Sequence, residues 1–404
     1  MSRGEALARP SRENTLSGQL VRAAHEVGRS PNRRWNWTAI FRRRGPGRPL
    51  ENHPDKKLSM DLYTAIRFSL ARISNELFSF GSIFSIYSLA TTFGLAVFAL
   101  AYRQKSRRGR ANLRAIARAI FTKKILVHES FAADVKLFVL SVVFMPVIVV
   151  SLVVSANTVA IAVKSMLTGA FGAMGSADCC DLSIKLVSTV VLFLAYEIGY
   201  WVDHYLKHRV SFLWELHKVH HTAEVLTPLT NFRNHPVDNI FFGYMLSMFI
   251  GSASGLLAWL FGRNTEAFTV DGKNIIFIFF LWTIGHLQHS QFWIPFRGVW
   301  GRIILSPAHH QIHHSNDPRH FNRNLGSVLA VWDWMFGTLE IPSTKNPRLV
   351  YGVNEEGRRP HSSTGMLLTP IVMATSALWH EVVSIRKSFP NAAFALWAKR
   401  NRIS

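Results

Sequence analysis

The sequence predicts an all-α protein: a polytopic membrane helical bundle with a cytoplasmic-face helical cap that carries a set of histidine boxes. Three observations predict it. Hydrophobic residues make up 49% of the 404, and they gather in blocks near the length of a bilayer crossing. The net charge of +22 is concentrated as arginine and lysine in 1–57 and 103–124, beside those blocks. Three tight histidine clusters, His204/His208, His217/His220/His221 and His310/His313/His314, follow or separate the later blocks.

The first 57 residues are polar and arginine-rich, with no apolar core that a secretory signal would need, and they read as a disordered arm. A first membrane segment from about Phe78 to Tyr102 and a basic amphipathic stretch to Lys124 fill a region drawn as 58–134. The second apolar block, Val135 to about Val163, is too long for one straight crossing and must tilt, kink at Pro146 or turn back. A small-residue loop covers 164–182. The third block, Leu182 to Val202, runs directly into His204. The fourth spans about Ile240 to Phe261, and the fifth runs from Asn274 to Trp293 with His286 and His289 in its second half. A histidine-box domain is thus drawn as 135–340. The tail 341–404 holds an apolar stretch, Thr364 to Trp379, that is short for a span and reads as an interfacial helix.

Charge orients these spans. The 103–124 loop is heavily basic, whereas 164–182 sets one Lys164 against Asp178 and Asp181, so the first is expected in the cytoplasm and the second on the far side. The third block then returns to the cytoplasm with His204. The fourth and fifth form a hairpin that delivers His286 and His289 to the same face. Basic runs flanking apolar segments fit anionic membrane lipid, and no aromatic-interleaved motif suggests nucleic acid. Cys179 and Cys180 are adjacent, form no framework and read as loop residues.

His204 and His208 are one helical turn apart. The two HxxHH clusters combine i,i+3 and i,i+4 relations, so each helix turns its imidazoles to one side. Eight such groups exceed what one tetrahedral ion needs, and two metals sharing eight to ten imidazoles is the economical reading. The fifth block adds His289, with His286 as an alternative, and His235 and His309 are further candidates. Neutral imidazoles suit iron, zinc or copper better than magnesium or calcium. No Glu-x-x-His pair and no HExxH motif is present, which disfavours carboxylate-bridged di-iron proteins and zinc proteases. A non-haem di-iron centre reacting with O2 fits best. Asp203, Glu215, Asp238, Asp317 and Asp333 are close enough in sequence to orient the imidazoles, and Asn322 and Asn324 read as turn or site residues.

The segments EIGYWVDHYLKH (197–208), LHKVHHTAEVLTPLTNFRNHP (216–236) and SPAHHQIHHSNDPRHFNRNLGSVLAVWDWMFGTL (306–339) resemble the fatty acid hydroxylase/sterol desaturase superfamily over about 120–340. The resemblance implies a membrane enzyme with two non-haem Fe ions that uses O2 and external electrons to hydroxylate or desaturate a lipid. His204, His208, His217, His220, His221, His310, His313 and His314 would be ligands, and His289 matches the remaining position better than His286. No haem, flavin or iron–sulfur motif is present, so a separate electron-donor protein is expected. A bis-histidine haem protein would place single histidines on facing helices rather than HxxHH doublets. A metal transporter would bury acids among ligands at mid-bilayer, and the spans hold only Glu197.

Overall fold

The computed structural model describes residues 54–120, 122–176, 180–353 and 359–400. The chain divides into two units, Met1–Leu62 and Tyr63–Ser404, and the site lies wholly in the second. The arm expected over 1–57 lies outside the described residues apart from the start of the Pro54–Phe78 helix. Cys179 and the side chains of the basic C-terminal end also lie outside them, while Cys180 is a free, exposed thiol.

The fold is all-α, as expected. Among the described residues the only strands are Thr269–Val270 and Lys273–Asn274, an antiparallel ribbon. Its turn residues Asp271 and Gly272 both have positive φ, the backbone that a two-residue hairpin requires. Among the described residues, five stretches are long and apolar enough to cross a membrane: Ile86–Ser106, Met145–Phe171, Asp181–Arg209, Pro236–Leu260 and Ser363–Ser384.

The second apolar block does break, in two places. Helix Glu129–Val143 ends one residue before Met145–Leu152, which has Pro146 in its first turn where the missing N–H is harmless. Helix Ala156–Phe171 then starts afresh, its first turn capped by the Ser155 hydroxyl on Thr158 N. The Pro236–Leu260 helix packs on it through Gly251 and Gly255. A Cβ at Gly251 would fall 2.6 Å from Ala156 O, and one at Gly255 would fall 2.5 Å from Ala160 O. Two glycines a turn apart thus let the backbones approach as membrane helices do.

Two expectations change. The fifth block is a helix of only 14 residues, Ile275–Gln288, below the length of a crossing. It contains a π-turn at Leu281–Gly285 and ends at His289, with no helix continuing to Trp293. The block looked longer because the apolar residues after His289 continue as irregular chain. The tail is longer than its 364–379 core suggested. Helix Thr369–Arg400 packs against the second-box helix, Ser211–His221, and Glu381 accepts a hydrogen bond from Ser211 N at that helix's start. Its apolar length meets the requirement for a span.

A buried ion pair fixes the second-box helix from the other side. Arg233 and Asp134 are both fully buried, with Nη1 to Oδ1 at 2.9 Å. The guanidinium also donates to Val219 O and Thr222 O, carbonyls at the C-terminal end of Ser211–His221 that have no partner within the helix. Ala133, Leu137, Val219 and Met366 pack as an apolar cluster around this junction.

Candidate metal centre

Nine of the candidate histidines come together, in two groups. The ligand atoms of His204, His208, His217, His221 and His313 lie within 4.8 Å of one another, as do those of His220, His289, His310 and His314. All nine rings are at least largely buried. His204 and His208 project from the last two turns of Asp181–Arg209, and the second-box helix follows after a single residue. The third-box helix, Pro307–His313, is short and starts from a Ser306 cap with Pro307 in its first turn.

The HxxHH boxes are split between the groups. In the second box His217 and His221, four residues apart, join the first group, and His220 joins the second. In the third box His310 and His314 join the second group, and His313 joins the first. The two helices therefore interleave, each giving a pair to one group and a single imidazole to the other.

In the first group the Nε2 atoms of all five imidazoles are buried without a hydrogen-bond partner. Four of the five are tied down from outside. His204 Nδ1 donates to Leu325 O at 2.7 Å, and His313 Nδ1 donates to Arg323 O at 2.9 Å. His217 Nδ1 faces Asp238 Oδ2 at 3.4 Å, and the Asn322 side chain hydrogen-bonds the His208 ring. With the proton held on Nδ1, the inner nitrogen of each of these four rings presents a lone pair, the form that binds a cation.

The second group differs. His289 Nε2 lies 3.3 Å from His220 Nε2, 3.1 Å from His314 Nε2 and 2.9 Å from His310 Nε2. Four nitrogens about 2.0 Å from one tetrahedral ion lie about 3.3 Å apart, so the cluster has metal-site dimensions. The outer Nδ1 atoms of these four imidazoles have no protein partner. Burial first, then the neighbouring imidazoles, hold His220, His310 and His314 well below the usual histidine range. Burial takes His289 and His313 down to about 3. The rings are therefore neutral at physiological pH and free to ligate.

His286, His235 and His309 belong to neither group. His286 Nε2 meets Ser88 Oγ at 3.0 Å. His235 caps the Pro236–Leu260 helix through Val237 N, and its Nε2 donates to Leu367 O. His309 accepts from Ser306 N and donates to Gly301 O.

Among the carboxylates, Asp238 bears on an imidazole directly. Lys207 bridges it, at 2.9 Å, to Asp203, at 2.7 Å. Asp333 acts at one remove: it accepts from Leu325 N, Gly326 N, Trp201 Nε1 and the Thr338 hydroxyl, fixing the carbonyl that orients His204. Asn322 and Asn324 both have positive φ, and the Asn324 amide ties this turn to His309 O and Glu340 O. Glu197 accepts from Val328 N and Leu329 N at the turn's end. Sequence spacing missed that role, although a lone acid in an apolar block was its signal. Glu215 pairs with Lys218, and Asp317 pairs with exposed Arg319, away from the imidazoles.

A cavity of about 280 Å³ opens on both groups, with His204, His217, His220, His289 and His310 in its wall together with Phe277 and Phe280. Ring centroids in the first group are 4.5–5.3 Å apart, which leaves no room for a porphyrin between facing imidazoles.

Residues 189–338 match the sequence model of the Fatty acid hydroxylase family. This stretch is a fatty acid hydroxylase domain. It contains all nine clustered imidazoles and the Glu197, Asn324 and Asp333 supports. Human alkylglycerol monooxygenase is 27% identical over 169 residues, 40% of this chain and 32% of that protein. The Caenorhabditis elegans alkylglycerol monooxygenase is 26% identical over 158 residues, 39% of this chain and 28% of that protein. Human lathosterol oxidase is 26% identical over 187 residues, 45% of this chain and 56% of that protein. The chain thus spans about a third of the alkylglycerol monooxygenases and about half of the lathosterol oxidase. No solved structure matches it.

Proposed function

We propose that the chain is a multi-pass membrane, non-haem di-iron oxidoreductase that uses O2 and electrons from a separate donor protein to hydroxylate or desaturate a lipid. His204, His208, His217, His221 and His313 would hold one ion, and His220, His289, His310 and His314 the other. The observation that carries this reading is the partition of nine largely buried imidazoles into two groups with converging nitrogens. The relatives matched by the hydroxylase domain are named for oxidations, and zinc has no redox state to exchange, which favours iron. Bound iron would supply the redox chemistry that activates O2.

The protein's own residues do the remaining work. Leu325 O, Arg323 O, Asp238 and Asn322 keep protons on the outer nitrogens and point the inner ones inward. The cavity shared by both groups gives a reacting C–H bond a place beside the imidazoles, and Phe277 and Phe280 help to exclude water from it. The basic 103–124 loop supports a cytoplasmic placement of the boxes, where a soluble donor can reach them.

Two measurements on the full chain test the reading. Metal analysis of the purified protein is expected to find two irons per chain. Lipid mass spectrometry of cells with and without the gene is expected to show a product shifted by one oxygen or by two hydrogens. Two zinc ions per chain, with an unaltered lipid profile, would overturn it.

A further inference from the structure

Two short helices, Trp300–Ile303 and Val331–Met335, lie beside each other at the surface of the hydroxylase domain, joined where Ala330 N donates to Ile303 O at 2.9 Å. Val299, Trp300, Trp334, Met335 and Phe336 are each more than half exposed there. Among the described residues the indole N–H groups of Trp300 and Trp334 have no partner, and the exposed Arg297 and Arg302 enter no ion pair. No acid occurs between Asp271 and Asp317, and Asp333 is turned inward to Leu325 N and Gly326 N.

This surface continues a stripe that the bundle leaves uncovered. Val187, Val190 and Leu194 are exposed on one side of Asp181–Arg209, and Trp201 and Tyr205 repeat that side about two and three turns further on. Phe336 covers Trp201, with ring centroids 4.4 Å apart, and Trp201 stacks in turn on Tyr205. The helix rises only about 10 Å from Leu194 to Trp201, so Phe336 sits where this span leaves the hydrocarbon. Arg209, a turn beyond Tyr205, lies 5.3 Å from its ring centre. Aliphatic residues, aromatic rings and an arginine thus follow one another along one side of the helix, in the order of hydrocarbon, interface and headgroups.

We infer that 299–303 and 334–336 form a membrane-interface patch that seats the third-box segment in the leaflet and binds anionic phospholipid. The apolar side chains enter the acyl boundary, the free indole N–H groups donate to ester or phosphate oxygens, and Arg297 and Arg302 meet the negative headgroups. A soluble protein partner would have to displace lipid at the level where the span ends. Val331–Met335 presents Trp334 outward and Asp333 inward, so the leaflet braces the helix that holds Leu325 and Gly326. The inference rests on the membrane spans, and it stands whatever ion, if any, the imidazole groups hold.

The test uses the full chain in nanodiscs of mixed phosphatidylcholine and phosphatidylserine. Two photoreactive lipids that differ only in headgroup, choline or serine, carry a diazirine at the glycerol end of one acyl chain, and crosslinked peptides are mapped by mass spectrometry. The serine lipid is expected to label 297–303 and 331–336 about fivefold more than the choline lipid, the value of one basic side chain at a membrane surface. Replacing both arginines, Arg297→Gln with Arg302→Gln, should bring the two lipids to parity at these segments. In a Cys179→Ser, Cys180→Ser background, a bimane on Met335→Cys should be quenched by a nitroxide lipid and shielded from aqueous iodide, as one on Leu194→Cys should be. The wild-type comparison of the two lipids needs no variant, so it decides even if a substitution unfolds the protein. Absent or equal labelling of these segments by the two lipids, a serine preference that survives loss of both arginines, or quenching of the Met335→Cys label by iodide alone would overturn the inference.

Discussion

Four of the five imidazoles in the first group are tethered by outside partners, and three of those partners lie in one turn, Asn322 to Leu325. None of the four in the second group has a protein partner on its outer nitrogen. Both groups draw on the same two HxxHH helices, so the contrast does not come from the helices. It comes from what packs behind the rings. The 322–325 turn, braced by Asp333, Asn324 and Glu197, stands behind the first group and gives His204, His208 and His313 a fixed direction. The second group meets mainly itself, and its ring directions depend on whatever the nitrogens converge on. The first group is preorganised by the chain, whereas the second would be organised by an ion that it held.

The largest effect expected from this contrast follows removal of a clustered imidazole. His313→Ala and His220→Ala should each lower product formation by more than the 10–100-fold that outer partners are worth. Each should also lower the metal content, and activity unchanged in either would break the assignment of that residue.

Next is Asp333→Asn, which weakens the acceptor holding Leu325 N and Gly326 N without touching an imidazole. It should reduce metal affinity of the first group by about 10–100-fold and weaken the second by less. Metal titration of the variant checks this, and equal weakening of both would erase the distinction between the groups.

Arg233→Met acts on both groups at once, through the end of the second-box helix. Leaving Asp134 buried and unpaired should cost about 3–5 kcal/mol of stability, and replacing Asp134 as well should recover much of it. Thermal unfolding of the two variants measures both.

The last effect is a dependence on pH. Buried His289 and His313 are neutral in the fold down to about pH 3, whereas in the unfolded chain they take up protons near pH 6.5. Their contribution to stability is therefore complete above about pH 6.5 and is lost as pH falls from there towards 3. The metal-free protein should show a melting temperature that declines steadily with acidification across that window. One residue comes from each group, so the groups should weaken together.

The box histidines were legible because three- and four-residue spacing on a helix fixes a common side without reference to the rest of the fold. Spacing could not say which imidazole of an HxxHH box joins which group, since that depends on the rings the facing helix presents. His235 and His309 looked equivalent to their neighbours in sequence, but backbone groups at Val237, Leu367, Ser306 and Gly301 occupy their nitrogens. The partners of Glu197 are backbone N–H groups more than a hundred residues away, and no side-chain pattern announces them. The apolar blocks up to Leu260 were readable from composition. The fifth was not, because hydropathy does not register that the helix stops at Gln288 while the apolar residues run on.

The interleaving of the two boxes has a consequence for assembly. Seating an ion in either group fixes the rotation of both Ser211–His221 and Pro307–His313, and so aligns the imidazoles awaiting the other. The second ion then meets ligands whose ordering entropy has already been spent. Occupancy should pass from none to two with few singly loaded molecules between, and a newly made chain starved of metal should yield a mixture of empty and complete centres.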